Sequence, residues 1–415
     1  MKIINLRDIP VSERIHTFED SIRESFAVCL KGVFLTGRNI HYPNCLLVSE
    51  ERYVNPYDER VMSLQKDSFY ENDEYLGTEV SYTVRTGPVV TTPVFFFIYN
   101  VDNYYHFVYD SLPILAHYFT LKRTLPELQL LIATSHPSKK TLPLFVEEFL
   151  AKLGIPMYTL ASVDTYYKTV YFGTSLTHGR KSNEAPSREA FDVWNSLTST
   201  QTPPKRFYIS RRSWIHGKTE NMGTNYTLRR KCTNEDEVVA LLATYGIEEI
   251  FTELLSTEQK LELFKNAEFV VGIIGGGTCN LLFSPPSTKS LLLTTPFFLD
   301  INGRFKYSME HTQTYYSECA SHIDSEQKYT LFSRVKVINT ELRDYGCIGE
   351  VEEFRAGQYI VSVSSNDVAG FSQDFHFKKE LFNEEDLLAI DNGLNSPFRI
   401  DIERLERDLK FHLDA

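Results

Sequence analysis

No stretch of this 415-residue chain approaches the roughly 18 consecutive apolar residues of a membrane-spanning helix. The opening MKIINLRDIPVSER carries charges where a secretory signal needs an apolar core, so a cytoplasmic protein is expected. Basic residues are in deficit, 43 Lys and Arg against 55 Asp and Glu for a net charge of -12. That balance argues against nucleic acid as a main partner. The six cysteines (Cys29, Cys45, Cys232, Cys279, Cys319 and Cys347) form no CxxC pair and no metal-ligand spacing, which points to free thiols. No Asp-x-Asp follows an apolar strand to hold a metal against a diphosphate, and Asp401-x-Glu403 falls on the solvent side of a terminal helix. Internal repeats and low-complexity tracts are also missing.

What is present is the composition of a soluble globular protein, 42% hydrophobic and 24% charged, at a length that suggests two domains. The first ninety residues read poorly, with short strands at Cys29–Leu35 and Cys45–Val48. Val94–Tyr99 (VFFFIY) is a continuous apolar run, as in a strand buried on both faces. Asn103–Lys122 has helical length with a bend expected at Pro113. Strand Leu128–Ala133, helix Leu142–Leu153, strands Pro156–Leu160 and Thr169–Phe172, and a helix over Pro186–Leu197 follow. The polar, proline-ended Ser196–Lys205 reads as a linker, giving domains at 1–198 and 206–415.

Beyond the linker the alternation becomes regular. Strand Phe207–Ser210 precedes a helix opened by a capping box at Asn234–Glu237. Strand Ile247–Phe251 precedes a helix opened by a second box, Ser256 with Gln259. Strands Phe269–Val271 and Ser290–Leu293 complete βαβαβαβ, the pattern of a parallel doubly wound sheet. The last seventy residues of the chain resist reading until Ile400–Leu413, an amphipathic helix with Ile402, Leu405, Leu409 and Leu413 at helical spacing.

Two stretches carry chemistry. In FVVGIIGGGTCNLLFSPP, residues 269–286, an apolar strand breaks into Gly275-Gly276-Gly277 and resumes at Thr278–Phe283 as a helix start. Such a turn admits a ligand close to the backbone, and the unpaired N–H groups of a helix start suit a phosphate. A tight turn with no ligand has the same pattern. Arg211-Arg212 directly follow a strand, and Arg229-Arg230-Lys231 lie just before a helix. Both therefore approach the sheet edge where open α/β folds bind ligands. Basic residues on an acidic protein are also an ordinary solvated face; the convergence of three features on one edge favours a diphosphate site. The second stretch, NYYHFVYDSLP, places Asn103, His106 and Asp110 at spacings of three and four on one helical face, with His117 seven residues on. A His–Asp pair inside an apolar helix either satisfies itself structurally or serves as a general base.

These residues together resemble glycosyltransferase family 61. The likeness rests on Asn103-Tyr-Tyr-His106 with Asp110 and Leu112-Pro113; on Tyr208-Ile-Ser-Arg211; and on the Asn234-Glu235 helix with Tyr245-Gly246. It continues through Leu255-Ser256 to Gln259, Leu263-Phe264, and Gly275-x-Gly277 with Asn280-Leu-Leu-Phe-Ser-Pro-Pro286, over about residues 95–295. Ile400-Asp401-x-x-Arg404-Leu405 resembles the family's closing helix. The resemblance implies an α/β, GT-B-like fold of two Rossmann-like domains facing a cleft. It also implies an inverting, metal-independent transfer from a nucleotide-sugar, expected to be UDP-linked and with no other cofactor, to a glycan or glycolipid acceptor. Asp110 is then the expected base and His106 its partner or substitute. Asn103, Arg211, Arg212, Arg229, Arg230, Gly275, Gly276, Gly277, Thr278 and Asn280 are the expected substrate-binding residues. Family members carry a histidine just before the first glycine; here the residue is Ile274. A pyruvyltransferase-like enzyme and a glycan- or nucleotide-binding protein without turnover are the alternatives.

Overall fold

A computed structural model describes residues 2–19, 24–37, 45–49, 52–55, 87–97, 103–132, 141–161, 165–177, 185–212, 230–295, 303–317, 319–322, 328–331, 333–364, 377–390 and 396–413. The chain divides into two compact units. One holds Met1–Thr200 with Ser256–Leu261, and the other holds Gln201–Leu255 with Glu262–Ala415. Both are mixed α/β.

The first unit is built on one mixed sheet. Strands β1 (Ser25–Gly37), β2 (Val94–Phe97), β3 (Gln129–Ile132), β4 (Tyr158–Leu160) and β5 (Tyr166–Gly173) run in the order β4-β3-β2-β5-β1. The pairs among β4, β3, β2 and β5 are parallel, and β1 is antiparallel to β5. All four side chains of β2 are buried, as its unbroken apolar run requires. Beyond β1 the sheet continues through an antiparallel meander, Cys45–Ser49 and Arg52–Asn55, to Lys2–Asn5. The expected Rossmann-like sheet is therefore only half of this one. The other half comes from the N-terminal strands, whose short and irregular apolar patterning gave little sign of their pairing. Helices α1 (Leu115–Lys122), α2 (Leu144–Lys152) and α3 (Arg188–Ser196) accompany it.

In the second unit β6 (Lys205–Ile209), β7 (Glu248–Ile250), β8 (Ala267–Ile273), β9 (Lys289–Leu293) and β10 (Gln313–Ser317) form a wholly parallel sheet in the order β7-β6-β8-β9-β10. Numbered within the unit this is 2-1-3-4-5, which reverses direction between β6 and β8. Ligands of open α/β sheets bind at that switch point, beyond the carboxyl ends of the strands. Helices α4 (Glu235–Thr244) and α5 (Thr257–Lys265) make the first two crossovers. The closing helix α6 (Ile402–Leu413) buries Leu405 and Leu409 in the same core as Tyr208, Val238 and Leu242.

Between β10 and α6 lies an element that the sequence reading leaves blank. Residues 334–389 make a separate five-stranded antiparallel sheet around Val335, Val337, Val351, Tyr359, Val361 and Phe382. Its central hairpin turns through Ala356 (φ 52°) and Gly357 (φ 84°), the two left-handed residues of a tight two-residue loop. The domain expected over 206–415 thus carries a β-module as well as its parallel sheet. No helix among the described residues is long and apolar enough to cross a membrane. Five described cysteines, Cys29, Cys232, Cys279, Cys319 and Cys347, are free thiols.

Candidate functional site

In the first unit the chemistry gathers on a broken helix. Asn103 caps it, its side chain accepting the His106 N–H at 3.2 Å. One α-turn (Tyr104–His106) widens into a π-turn at Phe107–Ser111, tightens into a 3-10 turn at Leu112–Ile114, and resumes as α1. The cause is local. Pro113 has no N–H, so a regular helix cannot run through it. The Leu112 N–H reaches back five residues to the Phe107 carbonyl, and the next carbonyl in that register, Val108 O, would face Pro113. The indole Nε1 of Trp194, on α3, donates to Val108 O at 2.9 Å instead. The Trp194 ring also stacks on Tyr109. Turns of this kind recur at functional sites.

That turn holds Asp110, wholly buried, with Oδ2 2.6 Å from Nδ1 of the half-buried His106. The expected His–Asp pair is formed. A histidine so oriented can pass a proton to or from a substrate through its outer nitrogen while the carboxylate holds the ring in place. His117 belongs elsewhere. Its Nε2 lies 3.2 Å from the Thr174 carbonyl and its ring packs on Phe18. A Cβ at Gly173 would overlap that ring, which accounts for the glycine there.

In the second unit the switch point collects the other set. Arg211, just after β6, lies against Gly275, just after β8. A Cβ on Gly275 would overlap Nη1 of Arg211 and stand 3.9 Å from Nη2 of Arg230. Arg230 is held at φ 54°, a left-handed conformation that costs a non-glycine residue about 1–2 kcal/mol and marks segments under functional constraint. Gly277 is needed for a different reason. A Cβ there would come within 2.7 Å of Thr252 Oγ1 and 2.9 Å of Ile209 Cγ2, so its backbone packs directly on the sheet edge. Gly276 faces open space. The following segment, Gly276–Phe283, is a 3-10 helix and its first N–H groups have no preceding carbonyl to reach. Thr278 ties the turn together: its Oγ1 accepts the Gly275 N–H at 3.1 Å and donates to the Gly275 carbonyl at 2.8 Å. Asn280 Nδ2 donates to the Gly277 carbonyl at 2.8 Å. Both side chains hold the loop in shape.

The remaining expected residues separate. Arg212 is committed to a forked pair with Glu249 (Nε–Oε1 and Nη2–Oε2, both 2.6 Å) and to Asp236. Arg229 lies outside the described residues. Ile274 is buried, its N–H bonded to the Leu293 carbonyl.

Sequence reasoning missed the hub of this site. Glu235, at the start of α4 and 3% exposed, accepts on Oε1 from Tyr208 Oη (2.9 Å), Ser210 Oγ (3.0 Å) and the Arg211 N–H (2.7 Å). Its Oε2 is buried and makes no hydrogen bond among the described residues. Burial pushes the Glu235 carboxyl above its ordinary range, and the Arg211 N–H and the two hydroxyls oppose that rise. Burial also draws the Arg211 guanidinium down, with the Glu235 charge opposing. An arginine stays protonated regardless. Nothing in the run Glu235-Asp236-Glu237 distinguishes its first member; only the fold turns it inward. Asn234 was expected to cap α4 but makes no cap bond. Its side chain pairs with both backbone groups of Ile400, at 2.9 Å each, and fixes the strand that leads into α6.

The second unit thus presents a parallel sheet whose switch point gathers two arginines around a glycine turn, and the first a His–Asp pair whose aspartate is buried. Residues 104–291, which span both features, match the family model for glycosyltransferase 61. That segment belongs to glycosyltransferase family 61, a family of enzymes that transfer sugars to acceptors. No curated protein matches the chain.

Proposed function

We propose that this protein transfers a sugar from a UDP-linked donor to a glycan or glycolipid acceptor, with inversion and without a metal, on the GT-B architecture that its family implies. The observation that carries the reading is the closeness of Arg211 and Arg230 to Gly275 at the switch point. Two guanidiniums beside a glycine turn and a helix start offer forked donors and positive charge to a leaving diphosphate. Inversion needs a base on the acceptor hydroxyl as the anomeric carbon is attacked from the opposite face. Asp110, through or beside His106, is that base, and Asn103 shapes its turn. Gly275 and Gly277 leave room for the donor, while Thr278 and Asn280 hold the loop.

A second reading is favoured by one observation. The residue before the glycine turn is the buried, apolar Ile274 where the family carries a histidine. Such a chain could bind a nucleotide-sugar without turning it over. A thermal-shift panel of nucleotide-sugars and free nucleotides tests donor binding, with a stabilisation of about 2.7 kcal/mol expected at a hundredfold excess over Kd. Donor hydrolysis or transfer in the same mixtures separates enzyme from binder. No shift with any nucleotide refutes both readings.

A further inference from the structure

A groove of about 700 Å³ opens within the first unit between α1 and α3. That lies inside the roughly 300–1,000 Å³ typical of pockets that enclose small ligands. Its apolar lining includes Phe18 and Phe119, both half-buried, so ring surface remains for a ligand to cover. From α3 come Glu189 and Asp192, three residues apart and therefore on one helical face. Glu189 lines the groove with a carboxylate whose Oε2 is buried and makes no hydrogen bond among the described residues.

The charges decide what kind of ligand fits. Lys122 Nζ already donates to the Pro126 and Leu128 carbonyls, at 2.6 Å each, and Lys152 is paired with Glu258. Arg123 lies at the exposed rim, and Glu189 and Asp192 bring two carboxylates. Lys122 keeps its charge, and with Arg123 it balances Glu189 and Asp192, so a phosphate-bearing ligand would meet no net positive charge. A polycation would meet Lys122 and Arg123 as well as the two carboxylates and would likewise gain no net charge. A neutral ligand rich in hydroxyls meets neither obstacle: paired hydroxyls donate to the carboxylates, and the apolar C–H faces of sugar rings cover the phenyl groups.

We propose that this groove binds a neutral oligosaccharide, a segment of the acceptor glycan held apart from the reacting hydroxyl. The proposal rests on the transferase reading only in taking a glycan as the acceptor. The same helix carries Trp194, which holds the Val108 carbonyl of the Asp110 turn. A chain seated here therefore leans on the element that orients the base.

The test is saturation-transfer NMR and calorimetry on the full chain with cellotetraose, chitotetraose, maltotetraose and xylotetraose. At least one binds, with a Kd of about 1 mM. Asp192→Asn and Phe119→Ala each weaken it by about tenfold or more, with unchanged thermal unfolding. Absence of binding by every tetrasaccharide up to about 10 mM overturns the proposal. So does an affinity that neither variant changes, or displacement of the saccharide by spermine at equal concentration. UDP is titrated into the same samples. Nucleotide binding without saccharide binding refutes the groove alone; saccharide binding without nucleotide binding sustains the groove and refutes the donor site.

Discussion

The indole of Trp194 donates to the carbonyl of Val108 at 2.9 Å, in the place where Pro113 can offer no N–H. This bond joins α3 to the turn carrying Asp110. Trp194→Phe keeps an aromatic ring against Tyr109 but leaves a buried carbonyl unsatisfied. We expect a loss of about 1–3 kcal/mol in unfolding free energy from that group. We also expect a fall in turnover larger than any change in donor affinity, because the disturbed turn bears the proposed base. Chemical denaturation and steady-state kinetics on the variant check both. Unchanged stability would mean that another donor serves Val108.

Asp110→Asn is nearly isosteric and removes the carboxylate that lies 2.6 Å from His106. Loss of a positioned general base lowers turnover by about 10²–10⁴. Donor binding, measured by calorimetry with UDP, should stay at its wild-type value. If Asp110→Asn turns over normally and His106→Gln does not, the base is His106. If both behave as wild type, the pair is structural.

The three glycines of the turn should answer differently to alanine. Gly275→Ala forces the tip of Arg211 aside, a flexible group, so folding survives while nucleotide binding weakens. Arg211→Ala should weaken it by roughly 1.5–3 kcal/mol, and the double variant by no more than that. Gly277→Ala presses on Thr252 and on Ile209 of β6, and should cost about 1–3 kcal/mol of stability. Gly276→Ala meets open space and should leave the fold unchanged. Melting curves and UDP titrations on all variants decide the matter.

Glu235 gives the protein a predicted pH signature. Its native pKa lies above the ordinary 4.5, so the folded state binds its proton more tightly than the unfolded state does. Its contribution to stability is then fully present below pH 4.5 and declines as pH rises through the native value. Glu235→Gln cannot titrate. The stability of the wild type relative to this variant should therefore improve as pH falls from 7 towards 4.5. A difference in melting temperature that is constant over that interval would contradict the raised pKa.

The sequence by itself determined four of the five strands of the second unit's parallel sheet; Gln313–Ser317 went unread. The four are short apolar runs bounded by capped helices, and period alone separates a buried strand from an amphipathic helix. It also determined the Ser256–Gln259 capping box, which forms as read, with bonds of 2.9 and 3.3 Å, because every partner is local. The His106–Asp110 pair was legible for the same reason: one helical turn separates the two residues. Only the tertiary structure decided the rest. Asn234 turns away from its own helix to Ile400, 166 residues distant, where pairing with both backbone groups competes with a cap. Arg211 and Arg212 are adjacent and chemically alike. Yet beyond the strand one lies against the glycine turn and the other pairs with Glu249. The antiparallel module over 334–389 went unread because its strands bury few apolar side chains, as in Ile348–Arg355, where Gly349 and Val351 are the buried residues. Spacing fixes what neighbours along the chain can do. Which buried charge meets which glycine depends on contacts between strands far apart in sequence, and those exist only once the sheet has closed.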